Sequence, residues 1–268
     1  MKNLQHMRLI ISIMIPLFVF PYPGTAQRTK SSLSAGEQRY AEKGLKDNRY
    51  FFYFINSSIS NLGSEEEKTL FKEAIQRDMI AQMLYMKFLF HESFIEIKHS
   101  QRILIDLYRK TLTRDIGITS ELLGDFARAS IKSQKYRSQH YLKLGYRDLA
   151  EAKIFFKMSD HYRETLYSMR LYKYVEAIKK AKHGKRYAFY TKLEANADPY
   201  SRTEWGYLPF DDLKKNIGAL SEEKKDYFTR IHYDNYYRTI ESKSFYDMIW
   251  ENPRLEEVPE YPDYLKLH

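Results

Sequence analysis

The chain has 268 residues, with 44 Lys and Arg against 35 Asp and Glu, a formal charge of +9, and no cysteine. Lacking cysteine, it has neither a disulfide framework nor thiolate chemistry, and a chain of this length can rely on a hydrophobic core instead. Basic charge with 24 Tyr and 16 Phe is a composition that nucleic-acid binders share, but no Gly-aromatic strand pattern and no zinc-ligand set accompanies it, so nucleic acid is not an expected partner.

Residues 1–26 read as a cleavable signal peptide. Lys2 and Arg8 precede the apolar run Leu9 to Phe20, which is too short to span a bilayer and is interrupted by Pro16. Small residues Gly24-Thr25-Ala26 then predict a cut before Gln27. No cysteine follows the run, so a lipid anchor is not expected, and no later stretch predicts stable membrane insertion. Cleavage would lower the formal charge to +7.

Two capping boxes, Ser34 to Glu37 and Ser64 to Glu67, each predict the opening of a helix, because the hydroxyl and the carboxylate three residues later satisfy reciprocal amides. The first helix is expected to run to about Ser57 and the second to carry the nearly all-apolar stretch Met79 to Phe90, a pattern of burial between neighbours. A third helix is expected from about His91 to Leu112, ending near Asp115 to Gly117, with Thr119 or Ser120 capping a fourth. Gly145 reads as a break, and Leu149, Ala152 and Phe156 mark a short helix after it. Tyr167, Leu171, Tyr174, Ile178 and Ala181 form the clearest stripe, with Gly184 at the position of a left-handed C-terminal cap.

Asp198-Pro199, Trp205-Gly206 and Leu208-Pro209 predict an irregular connection, and Ser221 the start of one long aromatic helix to about Trp250. The end of the chain, with Pro253, Pro259 and Pro262, reads as an extended arm that packs or stays mobile. The expected fold is all-α, built of helix hairpins in a tetratricopeptide-like or solenoid-like arrangement without a traceable repeat period. Its parts are the signal peptide at 1–26, a helical domain at 27–195, a connection plus C-terminal helix at 196–250, and a Pro-rich acidic tail at 251–268.

No pattern for nucleophilic catalysis or phosphate binding is present, and Asp211-Asp212 are adjacent residues in an expected loop, a poor acid/base pair. Glu92, Glu96 and His99 share one helical face, but the second Glu-x-x-His that a di-metal bundle needs is missing. Neither an enzyme nor a cofactor or metal is therefore expected. The candidates are surfaces. Lys132 to Arg186 holds fifteen Lys and Arg against five acids, which suggests either a docking face for an acidic partner or the solvated faces of amphipathic helices. Lys173, Lys179, Lys180, Lys182, Lys185 and Arg186 are the basic candidates, and Tyr236, Tyr237, Tyr261 and Tyr264 the aromatic ones.

The stretch Tyr141-Leu-Lys-Leu-Gly-Tyr-Arg-Asp-Leu-Ala-Glu-Ala-Lys-Ile-Phe-Phe to Gly184, within a likeness that spans about Leu142 to Phe189, resembles the flagellar coiling protein A family of Leptospira-type spirochaetes. The resemblance implies a periplasmic, helical, non-enzymatic subunit of the endoflagellar filament sheath that promotes filament coiling and motility. Core flagellins, other sheath proteins and copies of itself would be its partners, and the family brings no catalytic residues. The alternative from another class is a periplasmic tetratricopeptide-like adaptor for an envelope complex.

Overall fold

The computed structural model describes residues 30–196 and 221–267. The expected signal peptide, the irregular connection and Asp211-Asp212 lie outside the described residues. Within them the protein is all-α. Its helices are α1 (Lys30–Leu62), α2 (Glu65–Met86), α3 (Phe90–Ser133), α4 (Tyr136–His161), α5 (Tyr167–Asn196), α6 (Glu222–Asn235), α7 (Phe245–Glu251) and α8 (Tyr261–Leu265). Among the described residues no helix is long and apolar enough to cross a membrane.

α3 is the spine. At 44 residues it extends about 66 Å. It packs against α1 and α2, and also against α4 and α5. The larger core stacks Phe51, Ile55 and Ile59 of α1, Phe71 and Ile75 of α2, Leu104, Tyr108 and Leu112 of α3, and Leu171, Tyr174 and Ile178 of α5. Spacings of three and four residues along each helix bring these side chains to one face. Tyr108, fully buried, donates its hydroxyl to the Phe51 carbonyl at 2.6 Å, which allows a phenol in that core. A second core joins Leu122 and Leu123 of α3, Leu149 of α4, Phe189 and Leu193 of α5, and Ile231 of α6.

The Ser64 capping box forms as expected. Ser64 accepts from the Glu67 amide at 3.2 Å, and its own amide donates to Glu67 Oε2 at 2.8 Å. The Ser34 box does not open a helix, because α1 already includes Lys30 and runs on to Leu62. Helix α2 stops at Met86, and the turn after it leaves Met86 and Phe88 exposed, so Met79 to Phe90 is buried only in part. The expected stop at Asp115 to Gly117 is absent because α3 continues to Ser133, and Thr119 caps nothing. Its hydroxyl lies 2.6 Å from the Asp115 carbonyl and 3.2 Å from the Ala181 carbonyl of α5.

Gly145 and Gly184 likewise interrupt nothing. Both sit inside continuous helices, where they let α4 and α5 approach each other and α3. A Cβ at Gly184 would lie 2.7 Å from Thr119 Cγ2 and 3.4 Å from the Gly145 carbonyl, and one at Gly145 would lie 2.5 Å from Leu123 Cδ2.

The helix expected from Ser221 to Trp250 is two helices. After α6 the chain turns through Tyr237, whose φ is +56°, and follows α1 instead. There the Asn61 side chain donates to the Arg238 carbonyl at 2.7 Å and accepts from the Ile240 amide at 3.0 Å, satisfying backbone groups that the broken helix exposes. The tail packs across α2 as a strap containing a 3-10 turn (Leu255–Glu257) and α8. Val258 is buried against Ile80 and Leu84, and Gln76 donates to the Pro253 and Arg254 carbonyls.

A buried polar chain crosses the larger core. Ser168 of α5 donates to Gln101 of α3, Gln101 to Asn48 of α1, and Asn48 to Asp78 of α2 at 2.7 Å; Gln82 donates to the other Asp78 oxygen at 2.8 Å. Burial nevertheless raises the Asp78 carboxyl to about 6, against the pull of those two donors. Its folded value therefore exceeds its unfolded one, and the associated stability, present in acid, is lost as pH rises from about 4 to about 6.

Two outcomes follow for thermal or urea unfolding. Asp78→Asn, neutral at every pH, should gain on the parent chain between pH 4 and 7 by on the order of 2 to 3 kcal/mol; a pH-independent difference would contradict the assignment. Gly117 and Gly124 face open space within α3. Gly117→Ala and Gly124→Ala should each stabilise by about 0.5 to 1 kcal/mol, whereas Gly184→Val should cost about 1 to 3 kcal/mol through overpacking.

Candidate functional site

Four charged side chains meet inside the protein. Asp234 of α6, fully buried, takes Lys182 Nζ at 2.7 Å and Lys185 Nζ at 3.0 Å, both from α5. Ser57 and Ser58 of α1 each donate to Asp234 Oδ1 at 2.9 Å, and Lys185 also reaches Asp115 of α3 at 3.0 Å. One carboxylate thus joins α1, α5 and α6, and the second lysine extends the tie to α3.

Three residues separate Lys182 from Lys185, so the helix presents both ammonium groups to the same interior point. Burial disfavours the Asp234 carboxylate, but the two ammonium groups outweigh it and hold the carboxyl well below its usual range. Burial also opposes the charge on Lys185, which ends above its ordinary value because it faces both carboxylates. For Lys182, with only Asp234 beside it, burial prevails and lowers the value.

The basic candidates are thereby sorted. Lys182 and Lys185, expected at a surface, are fully buried, because neutralising Asp115 and Asp234 requires them inside. Lys179 is half-buried, 3.0 Å from Glu176 and 4.6 Å from the Phe54 ring centroid. Lys180 pairs with Glu151 at 2.6 Å, and Lys173 lies 5.5 Å from the Phe155 ring centroid. Arg186 is partly buried with no hydrogen bond at Nε, and its guanidinium carbon stands 5.3 Å from the Tyr236 ring centroid.

The aromatic candidates also face inward more than outward. Tyr236 shares a hydroxyl contact of 2.9 Å with Tyr190, and Tyr237 packs against Tyr53, Phe54 and the Lys182 ammonium. Tyr261 packs on the Ile80 and Leu84 cluster, and Tyr264 donates to Glu96 at 2.8 Å. Glu96 is fully buried and is also bound by Arg77 at 3.0 Å and by His99 at 3.1 Å. Of the Glu92, Glu96 and His99 face, Glu96 is thus engaged in holding the strap with His99 beside it, and among the described residues no group of three or more metal-ligating side chains forms.

Some large apolar side chains stay exposed. Ile154 and Met158 lie one turn apart on the outer side of α4, with Lys157, His161 and Tyr162 around a shallow cavity, and Ile131 and Tyr136 stand exposed at the α3–α4 turn. Helix α4 packs chiefly on α3 and α5, and among the described helices no other packs closely over this side. Sequence periodicity missed this surface because Ile154 and Met158 share spacing with apolar residues that do face the core.

Residues 35–262 match the family model described as surface protein adhesin OmpL37. No curated protein matches the chain, and no solved structure does. The matched model differs from the flagellar coiling protein A family that residues 141–184 resemble; those residues form the α4–α5 hairpin up to the Gly145–Gly184 contact.

Removing the central carboxylate should be severe. Asp234→Ala leaves two buried ammonium groups with one carboxylate and is expected to cost about 3 to 5 kcal/mol in chemical unfolding, whereas removal of the exposed Lys180–Glu151 pair should cost less than about 1 kcal/mol. Comparable losses for the two would show that the cluster is not the tie described.

Proposed function

The chain belongs to the OmpL37 surface protein adhesin family, and we propose that it is a non-enzymatic adhesive protein of the cell envelope, presented on a rigid helical scaffold. The extent of the match carries this reading. Residues 35–262 take in all of the described core, so the adhesive role attaches to the packed domain as a whole. Fold alone would not specify it, since helix-hairpin scaffolds serve many functions. Two further features support it: the export leader expected at 1–26, and an uncovered apolar side on α4, the kind of surface that marks interaction sites.

The charged groups that chemistry would need have other employment. Asp234, Asp115, Glu96 and Asp78 are each buried and bound to partners in the scaffold. This favours binding over catalysis.

A second reading, a subunit of the endoflagellar sheath, rests on the resemblance at residues 141–184. In that setting the uncovered side of α4 would meet copies of the chain or the core flagellins, and many weak lattice contacts would suffice.

Protease treatment of intact cells separates the two. An adhesin is digested on intact cells, and a strain lacking it adheres less to a host-cell monolayer, with adherence restored by complementation. Protection until the outer membrane is permeabilised, together with unchanged adherence, would overturn the adhesive reading; co-purification with filaments would then support the sheath.

A further inference from the structure

Between α4 and α5 lies a pocket of about 320 Å³ lined by Tyr141, His183, Arg186, Tyr187 and Tyr190. Three tyrosine rings form its walls. Tyr141 stacks on Tyr187 at 6.1 Å between centroids, Tyr190 stands 5.4 Å from Tyr141, and Tyr187 and Tyr190 meet edge to face at 6.3 Å. Among the described residues the Tyr141 and Tyr187 hydroxyls form no hydrogen bond, whereas that of Tyr190 is held by Tyr236 at 2.9 Å.

Arg186 is the only cation among the described residues of this lining, and its guanidinium, which lies 5.3 Å from the Tyr236 ring centroid, meets no carboxylate there. Neighbouring cations on the same helix are matched: Lys182 and Lys185 by Asp234 and Asp115, Lys180 by Glu151. Arg147, nearby on α4, is held by Asp148 at 2.8 Å. Among the described residues Arg186 makes no ion pair, and with Nε buried it is the terminal guanidinium nitrogens that can meet a ligand. His183 does not compete as a second cation, since burial, reinforced by Arg186, keeps its imidazole below the ordinary value.

The geometry points to a binding site for an acidic sugar residue, a uronic acid carried on a polysaccharide, with its ring against the tyrosine faces and its carboxylate on Arg186. The planar guanidinium takes a carboxylate through two parallel hydrogen bonds. Tyrosine rings offer apolar faces to the C–H side of a pyranose, while the unengaged hydroxyls of Tyr141 and Tyr187 are available to its O–H groups. An acidic peptide fits less well, because acidic motifs are taken by clusters of arginines, and this lining offers one.

This deepens the adhesive reading, from which it takes only the expectation of an extracellular ligand. The full chain, as processed by the cell, is titrated with a glucuronic-acid-terminated disaccharide, with its glucose-terminated analogue, with a sulfated disaccharide and with a glutamate-rich peptide, by calorimetry and by tyrosine ring resonances. The expected result is saturable binding of the uronic disaccharide, about tenfold weaker in Arg186→Gln, with Arg186→Lys between the two because it keeps charge without the fork. Tyr187→Phe, which keeps the ring, should weaken binding severalfold while leaving the thermal transition unchanged.

Absence of saturable binding by the folded chain would overturn the inference, as would equal binding by Arg186→Gln, tighter binding of the peptide, or preference for the sulfated sugar. If adherence of cells persists in those cases, the pocket assignment fails and the adhesive reading stands. Binding of the disaccharide by a chain that is protease-protected on intact cells would reverse that outcome.

Discussion

The arrangement of this protein depends on one buried carboxylate. Asp234 is surrounded by Lys182, Lys185, Ser57 and Ser58, so one carboxylate takes donors from both α1 and α5 while its own backbone belongs to α6. Hydrophobic burial can hold helices together at many angles and registers, since it is not directional. A desolvated ion cluster tolerates little displacement, because each lost contact leaves a charge in a medium that does not solvate it. The apolar cores therefore supply most of the cohesion, while the cluster selects the relative placement of α1, α3, α5 and α6.

The two glycines act in the same sense. At Gly145 and Gly184 the backbones of α4 and α5 approach closely, and Gly184 falls between Lys182 and Lys185 along α5. Close approach of α4 on one side and ion pairing on the other leave Arg186, the next residue, at the border between interior and pocket. Its unmatched charge thus follows from the helical register: Lys182 and Lys185 point to the cluster, whereas Arg186 points past it.

Much of this architecture is legible in the sequence. Class, the Ser64 boundary, the α4–α5 hairpin and the stripe from Tyr167 to Ala181 follow from local rules, because capping and 3.6-residue periodicity are properties of a segment and its own neighbours. Stops read at Gly117, Gly145 and Gly184 failed where tertiary packing outweighed a glycine's modest helix penalty. The break after Asn235 failed for the opposite reason: a good helical pattern yields to Asn61, a residue distant in sequence that satisfies the chain as it turns away. Among candidate residues, a signal for the burial of Lys182 and Lys185 was present, since they continue the face of Tyr174 and Ile178 at the same spacing. Nothing local marks Asp234 as their partner, and a lysine-rich stretch is ordinarily a solvated surface.

The Ser57–Asp234 contact joins positions 177 residues apart. Until the segment bearing Asp234 arrives, Lys182 and Lys185 have only Asp115 to neutralise them, so α5 cannot bury that face without stranding a charge. Closure of a loop this long is slow relative to local helix formation, and α1 to α5 without α6 would set two ammonium groups against one carboxylate. The cluster therefore behaves as a latch that couples completion of the chain to desolvation of its centre, making the fold cooperative across elements that are remote in sequence.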